Sequence, residues 1–195
     1  SFLDSQALII IFLEPIMNLD TQCTTRPNLY LIGFMGTGKT AVGQLAAKML
    51  GLSFLDSDIE IEKKYQTSIS QIFKSDGEIG FRKMEKDFIQ SGHPKSGFLI
   101  SCGGGLPIAE GMIEMLKNNG KVFTLWASPE TIFERIKKNS LRPLLQTEDP
   151  FSKITELLSE RELKYRMADK IISTDGRPAS KVATLIQKNY LEALN

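Results

Sequence analysis

Gly33-Phe34-Met35-Gly36-Thr37-Gly38-Lys39-Thr40 reads G-x-x-x-x-G-K-T, the spacing of a loop that wraps nucleotide phosphates. Before it, Leu29-Tyr30-Leu31-Ile32 is an apolar run of strand type. After it, Ala41 to Leu50 carries Val42, Leu45, Ala46 and Met49 at helical spacing. The motif therefore stands between a strand and a helix, as its chemistry requires. Glycines at 33, 36 and 38 allow successive N–H groups to turn inward on one anion, and the start of the helix adds its unpaired N–H groups and positive dipole end. Gly36, Thr37, Gly38, Lys39, Thr40 and Ala41 are thus candidate ATP contacts. Lys39 can reach the β- and γ-phosphates, and the Thr40 hydroxyl can ligate the Mg²⁺ that accompanies the nucleotide.

Outward from this loop, short apolar runs alternate with helical patterns. Candidate strands are Leu29 to Ile32, Ser53 to Leu55, Phe98 to Ser101, Val122 to Leu125 and Lys170 to Ser173. Helical stretches are expected near 40–50, 59–75, 78–91, 108–118, 129–138, 152–167 and 179–193. Strands separated by helices predict an α/β fold, a parallel sheet with right-handed crossovers and both faces covered. Ligands of such sheets lie beyond the carboxyl ends of the strands, so the residues after each strand are the ones to read for function.

After the second strand comes Asp56-Ser57-Asp58. These acids can cap the helix expected at Ile59. Alternatively, one holds a water of the Mg²⁺ shell while the other accepts a hydrogen bond from a hydroxyl about to be phosphorylated. In Gly77-Glu78-Ile79-Gly80-Phe81-Arg82-Lys83-Met84-Glu85, Arg82 and Glu85 are three apart on a helix. They form either a surface ion pair or an arrangement in which Glu85 aims Arg82 at a carboxylate ligand. Ser101-Cys102-Gly103-Gly104-Gly105 follows the third strand, and its consecutive glycines leave N–H groups open to a close ligand. Cys102 reads as a small packed residue, His93 as a solvated loop residue and Trp126 as a packing residue.

The stretch from Lys137 to Leu145, with Arg142-Pro143-Leu144-Leu145, is basic, then turns acidic through Glu148-Asp149. It reads as a mobile lid near 137–150 that closes over the phosphates, with Arg142 neutralising charge on the moving phosphoryl group. Arg161 and Tyr165, four apart on the next helix, are further inward candidates, and Arg135 and Arg177 can flank an adenine ring.

A length of 195 residues suits one domain. Hydrophobic content of 42% and charged content of 24% are those of a soluble globular chain. A net charge of +1 gives no footprint for nucleic acid. Cys23 and Cys102 form neither a C-x-x-C pair nor a disulfide framework, which suggests a reducing compartment, the cytoplasm. The apolar run Ala7 to Leu13 is too short to span a bilayer and lacks the flanks of a signal or transit peptide. Residues 1–27 therefore read as an N-terminal extension, loosely structured or docked on the surface, in which Met17 could be the native start. Residues 28–195 read as a single domain, and a monomer is expected because no long apolar stripe stands out.

In this order, G-F-M-G-T-G-K-T, D-S-D, G-E-x-x-F-R-x-x-E, G-G-G, R-P-L-L and a late R-x-x-x-Y resemble shikimate kinase, from about residue 28 to the end. The resemblance implies a three-layer α/β/α P-loop fold like that of nucleoside monophosphate kinases, with a five-stranded parallel sheet in the order 2-3-1-4-5. It implies transfer of the ATP γ-phosphate to the 3-hydroxyl of shikimate, in chorismate and aromatic amino acid biosynthesis. Residue by residue, it implies that Asp58 meets the substrate hydroxyls, that Arg82 and Arg161 hold its carboxylate, and that Gly104 with Gly103 and Gly105 touches its ring. Lys39 and Arg142 would act on the phosphates, and Thr40 with Asp56 on Mg²⁺. Three features depart from the pattern: the extension, a stretch from Tyr165 to Ala168 that is one residue short, and Cys102, whose alkylation would block the acid's site if the thiol were reactive. A gluconate-type P-loop kinase and a non-catalytic ATP-binding module are the alternatives.

Overall fold

The structure is a computed structural model, and it describes residues 26–137 and 147–194. The proposed extension lies almost wholly outside these residues, as does most of the proposed lid, Arg142 included.

Five strands, β1 (Asn28–Ile32), β2 (Ser53–Asp56), β3 (Phe98–Ser101), β4 (Gly120–Trp126) and β5 (Lys170–Ser173), form one sheet in the order β2-β3-β1-β4-β5. Every neighbouring pair is parallel. Between them run α1 (Lys39–Leu50), α2 (Ser57–Tyr65), α3 (Ile69–Ser75), α4 (Gly77–Ser91), α5 (Met112–Asn119), α6 (Pro129–Ile136), α7 (Pro150–Arg166) and α8 (Ala179–Glu192). A 3₁₀ turn at Leu106–Ile108 precedes α5.

The central strand explains the architecture. All of β1 is buried, and its side chains alternate between two cores. Leu29 and Leu31 join Val42, Ala46, Phe123, Leu125, Val182 and Ile186 under α1 and α8. Tyr30 and Ile32 join Phe81, Phe88, Leu116, Ile132 and Leu158 on the face of α4 to α7. A strand buried at every position and apolar from Leu29 to Ile32 is one that must be covered on both sides. In register, Leu31 is level with Ser101 and Asp56 with Ser101, so the residues following β1, β2 and β3 emerge along one rim.

Helix starts follow their local chemistry. Ser68, Ser128 and Asp149 each accept a backbone N–H of the first turn, and Pro129 and Pro150 occupy first helical positions. The first of these caps explains a departure from the expected helix over 59–75. The chain breaks at Gln66, which adopts a left-handed φ of 52°, and restarts where Ser68 accepts from Gln71 N at 3.2 Å. The apolar stripe of α1 is also narrower than its spacing suggests. Val42, Ala46, Ala47 and Leu50 are buried, whereas Leu45 and Met49 are about two-fifths exposed. Trp126 packs at the rim of the larger core, with the Arg166 guanidinium 5.9 Å from its ring centroid.

His93 corrects the reading of a solvated loop residue, because only 8% of it is exposed. Its ring lies between Tyr30 and Phe88, 5.7 and 5.2 Å away by centroid. Since the Pro94 carbonyl, 2.8 Å away, can only accept, Nδ1 carries the proton. Nε2 then accepts from the Tyr30 hydroxyl at 3.2 Å. Burial pushes the imidazole below its ordinary value, so the native state binds fewer protons than the unfolded chain. Its stabilisation is complete above the unfolded value near ~6.5 and is lost as pH falls through the lower folded value. Urea midpoints at pH 7.5 and 5.5 are expected to differ more in the wild type than in His93→Gln; equal differences would contradict this.

Candidate active site

The phosphate loop joins β1 to α1. Gly33 has a φ of 140°, and a Cβ there would lie 2.3 Å from Leu125 O; at Gly36, with a φ of 76°, it would lie 2.8 Å from Ile136 Cγ2. Only glycine lets the loop turn so tightly against β4 and α6. Lys39 Nζ crosses the loop and donates to Gly33 O at 2.8 Å and Phe34 O at 3.0 Å. The loop opens into a cavity of about 440 Å³ that runs from Gly38–Ala41 past Asp56 and Asp58 to Cys102–Gly104.

Asp56 caps the helix as its place in the sequence suggests, and it also reaches the phosphate loop. Its Oδ1 accepts from Asp58 N at 3.1 Å and so caps α2, while its Oδ2 accepts from the Thr40 hydroxyl at 3.1 Å. A hydroxyl and a carboxylate side by side at the phosphate loop are hard oxygen donors suited to Mg²⁺. Among the described residues no cluster of three or more His, Cys, Asp or Glu could hold a metal. The pair therefore fits an ion that arrives with nucleotide phosphates and water, as Mg²⁺ does. Asp58 projects into the same cavity, where burial and then the charge of Asp56 raise its pKa, opposed by Lys39.

The three glycines after β3 are close-approach points to three different elements. A Cβ at Gly103 would lie 2.6 Å from Asp58 Oδ1; at Gly104, 3.3 Å from Met35 N of the phosphate loop; at Gly105, 2.4 Å from Arg82 Nη2. Gly103 N also donates to Ser57 Oγ at 2.9 Å, and the buried Tyr165 donates to Gly104 O at 2.8 Å. One tripeptide thus gathers α2, α4, α7 and the phosphate loop.

Arg82 is not a plain surface ion pair. Nη1 lies 2.6 Å from Glu85 Oε2 and Nη2 lies 2.9 Å from Glu78 Oε1. Glu85 is buried, and burial pushes its carboxyl up to about 7 against the opposing pull of Arg82. Its second oxygen, Oε1, has no hydrogen-bond partner among the described residues. That oxygen would be 3.2 Å from a Cβ on Gly103, so it faces the same floor as Asp58. Across from it, the Arg161 guanidinium stacks 5.6 Å from the Phe34 ring centroid. Arg82 and Arg161 line a second cavity of about 410 Å³ with Ile79, Ile108 and Ala109.

A third cavity, about 220 Å³, holds Arg135 and Arg177 with Thr37, Val42 and Thr174. Arg177 Nη1 donates to Ser173 O at 2.6 Å, so both arginines expected near an adenine share one space. Cys102 is the small packed residue that the sequence suggests, not a reactive thiol. It is 1% exposed among the apolar side chains of the larger core, and burial raises its pKa. Iodoacetamide applied to the native protein is expected to leave Cys102 unmodified by peptide mapping and to modify it after unfolding; rapid native labelling would refute this.

The fold and this site define a P-loop phosphotransferase, with a cavity lined by Arg82 and Arg161 set beside the phosphate loop. The sequence model described as "Shikimate kinase" matches residues 35–190, and the chain belongs to the shikimate kinase family. It is 46% identical over 163 residues to a shikimate kinase of Thermodesulfovibrio yellowstonii, covering 84% of this chain and 94% of that one. It is 40% identical over 165 residues to one from Caldanaerobacter subterraneus, covering 85% and 96%. The structure of shikimate kinase from Acinetobacter baumannii in complex with shikimate matches with a TM-score of 0.80 and 38% identity, over 87% of this chain and 95% of that chain. A gluconokinase from Sinorhizobium meliloti matches with a TM-score of 0.58 but 13% identity, a likeness of fold alone.

Proposed function

We propose that this chain transfers the γ-phosphate of ATP to the 3-hydroxyl of shikimate, giving shikimate 3-phosphate and ADP. The observation that carries the reading is the glycine tripeptide, which sets the Arg82 guanidinium and the Asp58 carboxylate two residues apart on one floor beside the phosphate loop. Arg82 and Arg161 bind the acid through its carboxylate, for which a planar fork of donors is suited. Asp58 and the open Oε1 of Glu85 are acceptors for its hydroxyls, and Ile79, Ile108 and Ala109 supply apolar surface for the ring. A sugar acid with hydroxyls along its whole length would leave that apolar surface unmatched.

The hydroxyl passes its proton to Asp58, made more basic by burial and by Asp56. The hydroxyl oxygen bonds to the γ-phosphorus, and the bond from that phosphorus to the bridging oxygen breaks to release ADP. Lys39 and the N–H groups at the start of α1 hold the phosphates. Mg²⁺, held by Thr40 and by Asp56, neutralises phosphate charge when bound. Arg142 is assigned to the transferred phosphate and Arg135 with Arg177 to the adenine side.

We assign the chain to the cytoplasm, where ATP is abundant and thiols stay reduced; among the described residues no helix is long and apolar enough to cross a membrane. It acts as a monomer, to be checked as a single species of 21.8 kDa in sedimentation. The function is tested by coupled ADP release with shikimate, with gluconate and with no acceptor. Release that depends on shikimate alone is expected; release equal in all three would refute the reading.

A further inference from the structure

The turn between β5 and α8 grips α6 at both ends. At its start, both carboxylate oxygens of Asp175 accept from Ser128 N, at 3.0 and 3.2 Å. At its last turn, Arg135 Nη1 donates to Thr174 Oγ1 and Nη2 donates to Thr174 O, each at 2.9 Å. Thr174 itself has no freedom to follow a moving arginine. It is 2% exposed, its N–H donates to Trp126 O at 2.8 Å, and its branched side chain is stiff at χ1.

Arg135 Nη1 also donates to Gly36 O at 3.2 Å. The guanidinium therefore spans from the β5 turn to the phosphate loop, and it lines both the phosphate cavity and the smaller cavity beside it. Gly38 and Ala41 are the other residues common to the two cavities, so Arg135 stands at the passage between them. A long side chain held by three acceptors has already lost its rotational freedom before a ligand arrives, which removes that cost from binding.

We propose that Thr174 is a positioning residue for the nucleotide: its hydroxyl and carbonyl together aim the Arg135 guanidinium into the passage between the phosphates and the base. This rests on the assignment of Arg135 to the nucleotide. Removing the hydroxyl leaves the backbone acceptor in place but lets the fork pivot, so ATP binding should suffer and the acid's pocket, built on α4 and α7, should not.

The experiment measures KM for ATP and for shikimate, kcat, melting temperature, and the dissociation constant of the magnesium complex of a non-hydrolysable β,γ-imido ATP analogue. The variants are Thr174→Val, Thr174→Ala, Thr174→Ser, Arg135→Ala and the Arg135→Ala/Thr174→Val double variant. Loss of one hydrogen bond to a charged group predicts a roughly tenfold weaker nucleotide in Thr174→Val and Thr174→Ala. Thr174→Ser should restore wild-type binding, and KM for shikimate should stay within about twofold in all of them. In the Arg135→Ala background, Thr174→Val should add nothing. Unchanged nucleotide binding in both Val and Ala variants overturns the proposal, as does an equal loss with and without Arg135, which would mean that Thr174 acts through the fold. Should Arg135→Ala itself leave nucleotide binding unchanged, the assignment of Arg135 fails and the proposal with it, while shikimate-dependent ADP release would still stand.

Discussion

Asp58→Asn is expected to lower kcat by roughly 10²- to 10⁴-fold, the range for a positioned proton acceptor, with the affinity for ATP nearly unchanged. Asparagine keeps the size of the side chain and can still accept a hydrogen bond through its amide oxygen, but it cannot take up the hydroxyl proton. The loss therefore falls on the transfer step and not on assembly of the complex. The surroundings make this carboxylate a better base than an exposed one: burial and the neighbouring Asp56 disfavour its charge, and outweigh Lys39 and the Ser57 hydroxyl, which oppose them. A companion variant separates the presence of the group from its placement. In Gly103→Ala the carboxylate remains, but a Cβ would sit 2.6 Å from its Oδ1 and must push it aside. A comparable fall in kcat is expected there, since misplacing a reacting group by about 1 Å can cost on the order of 10²-fold. Steady-state kinetics with shikimate, together with titration of a non-hydrolysable ATP analogue, measure both. Full turnover in Asp58→Asn would end the assignment.

Arg82→Ala is expected to raise KM for shikimate by roughly 10- to 100-fold, the loss of one or two charge-assisted hydrogen bonds, with KM for ATP unaltered. Two effects act together. The acid loses one of its two cationic forks, and Glu85 loses the guanidinium that lies 2.6 Å from its Oε2. Burial already pushes the Glu85 carboxyl up to about 7 against the pull of Arg82. Without that partner its pKa rises further, and it meets the acid's hydroxyls as a neutral carboxyl at physiological pH. Arg82→Lys keeps a charge but not the fork, so an intermediate effect is expected. Gly105→Ala should act on the same constant with the arginine intact, because a Cβ would press 2.4 Å from Nη2. Equal rises in KM for both substrates would contradict a carboxylate role for Arg82.

The fold was largely legible because β1 and the loop after it are strong signals. Leu29 to Ile32 followed by G-x-x-x-x-G-K-T leaves little freedom in what the chain does there, and the observed strand order is the one the resemblance implies. Strands β3 and β5 coincide with the apolar runs read from the sequence. The break between α2 and α3 is masked even though Ser68-Ile69-Ser70-Gln71 has the spacing of a helix start; the apolar period runs on across it and hides the turn. The burial of His93 is hidden for a different reason. The polar letters around it describe the loop, while its burial comes from Tyr30, more than sixty residues away in sequence.

At the site, the motif residues could be picked out one by one, but not what joins them. That Gly103 abuts Asp58 and Gly105 abuts Arg82 is a relation between three elements, and no local pattern encodes it. The ties made by Thr174 are of the same kind: a threonine after a short strand carries no signal until α6 is seen to end beside it.

Trp126 is the sole tryptophan of the chain. Its carbonyl receives the N–H of Thr174, and its ring lies against Arg166 at the rim of the larger core, so its backbone is one hydrogen bond from the turn after β5. The protein thus carries a single indole, which can be excited apart from its four tyrosines. If ATP binding shifts the turn after β5, stopped-flow fluorescence is expected to register it through this indole without any attached dye, and no second indole will blur the trace.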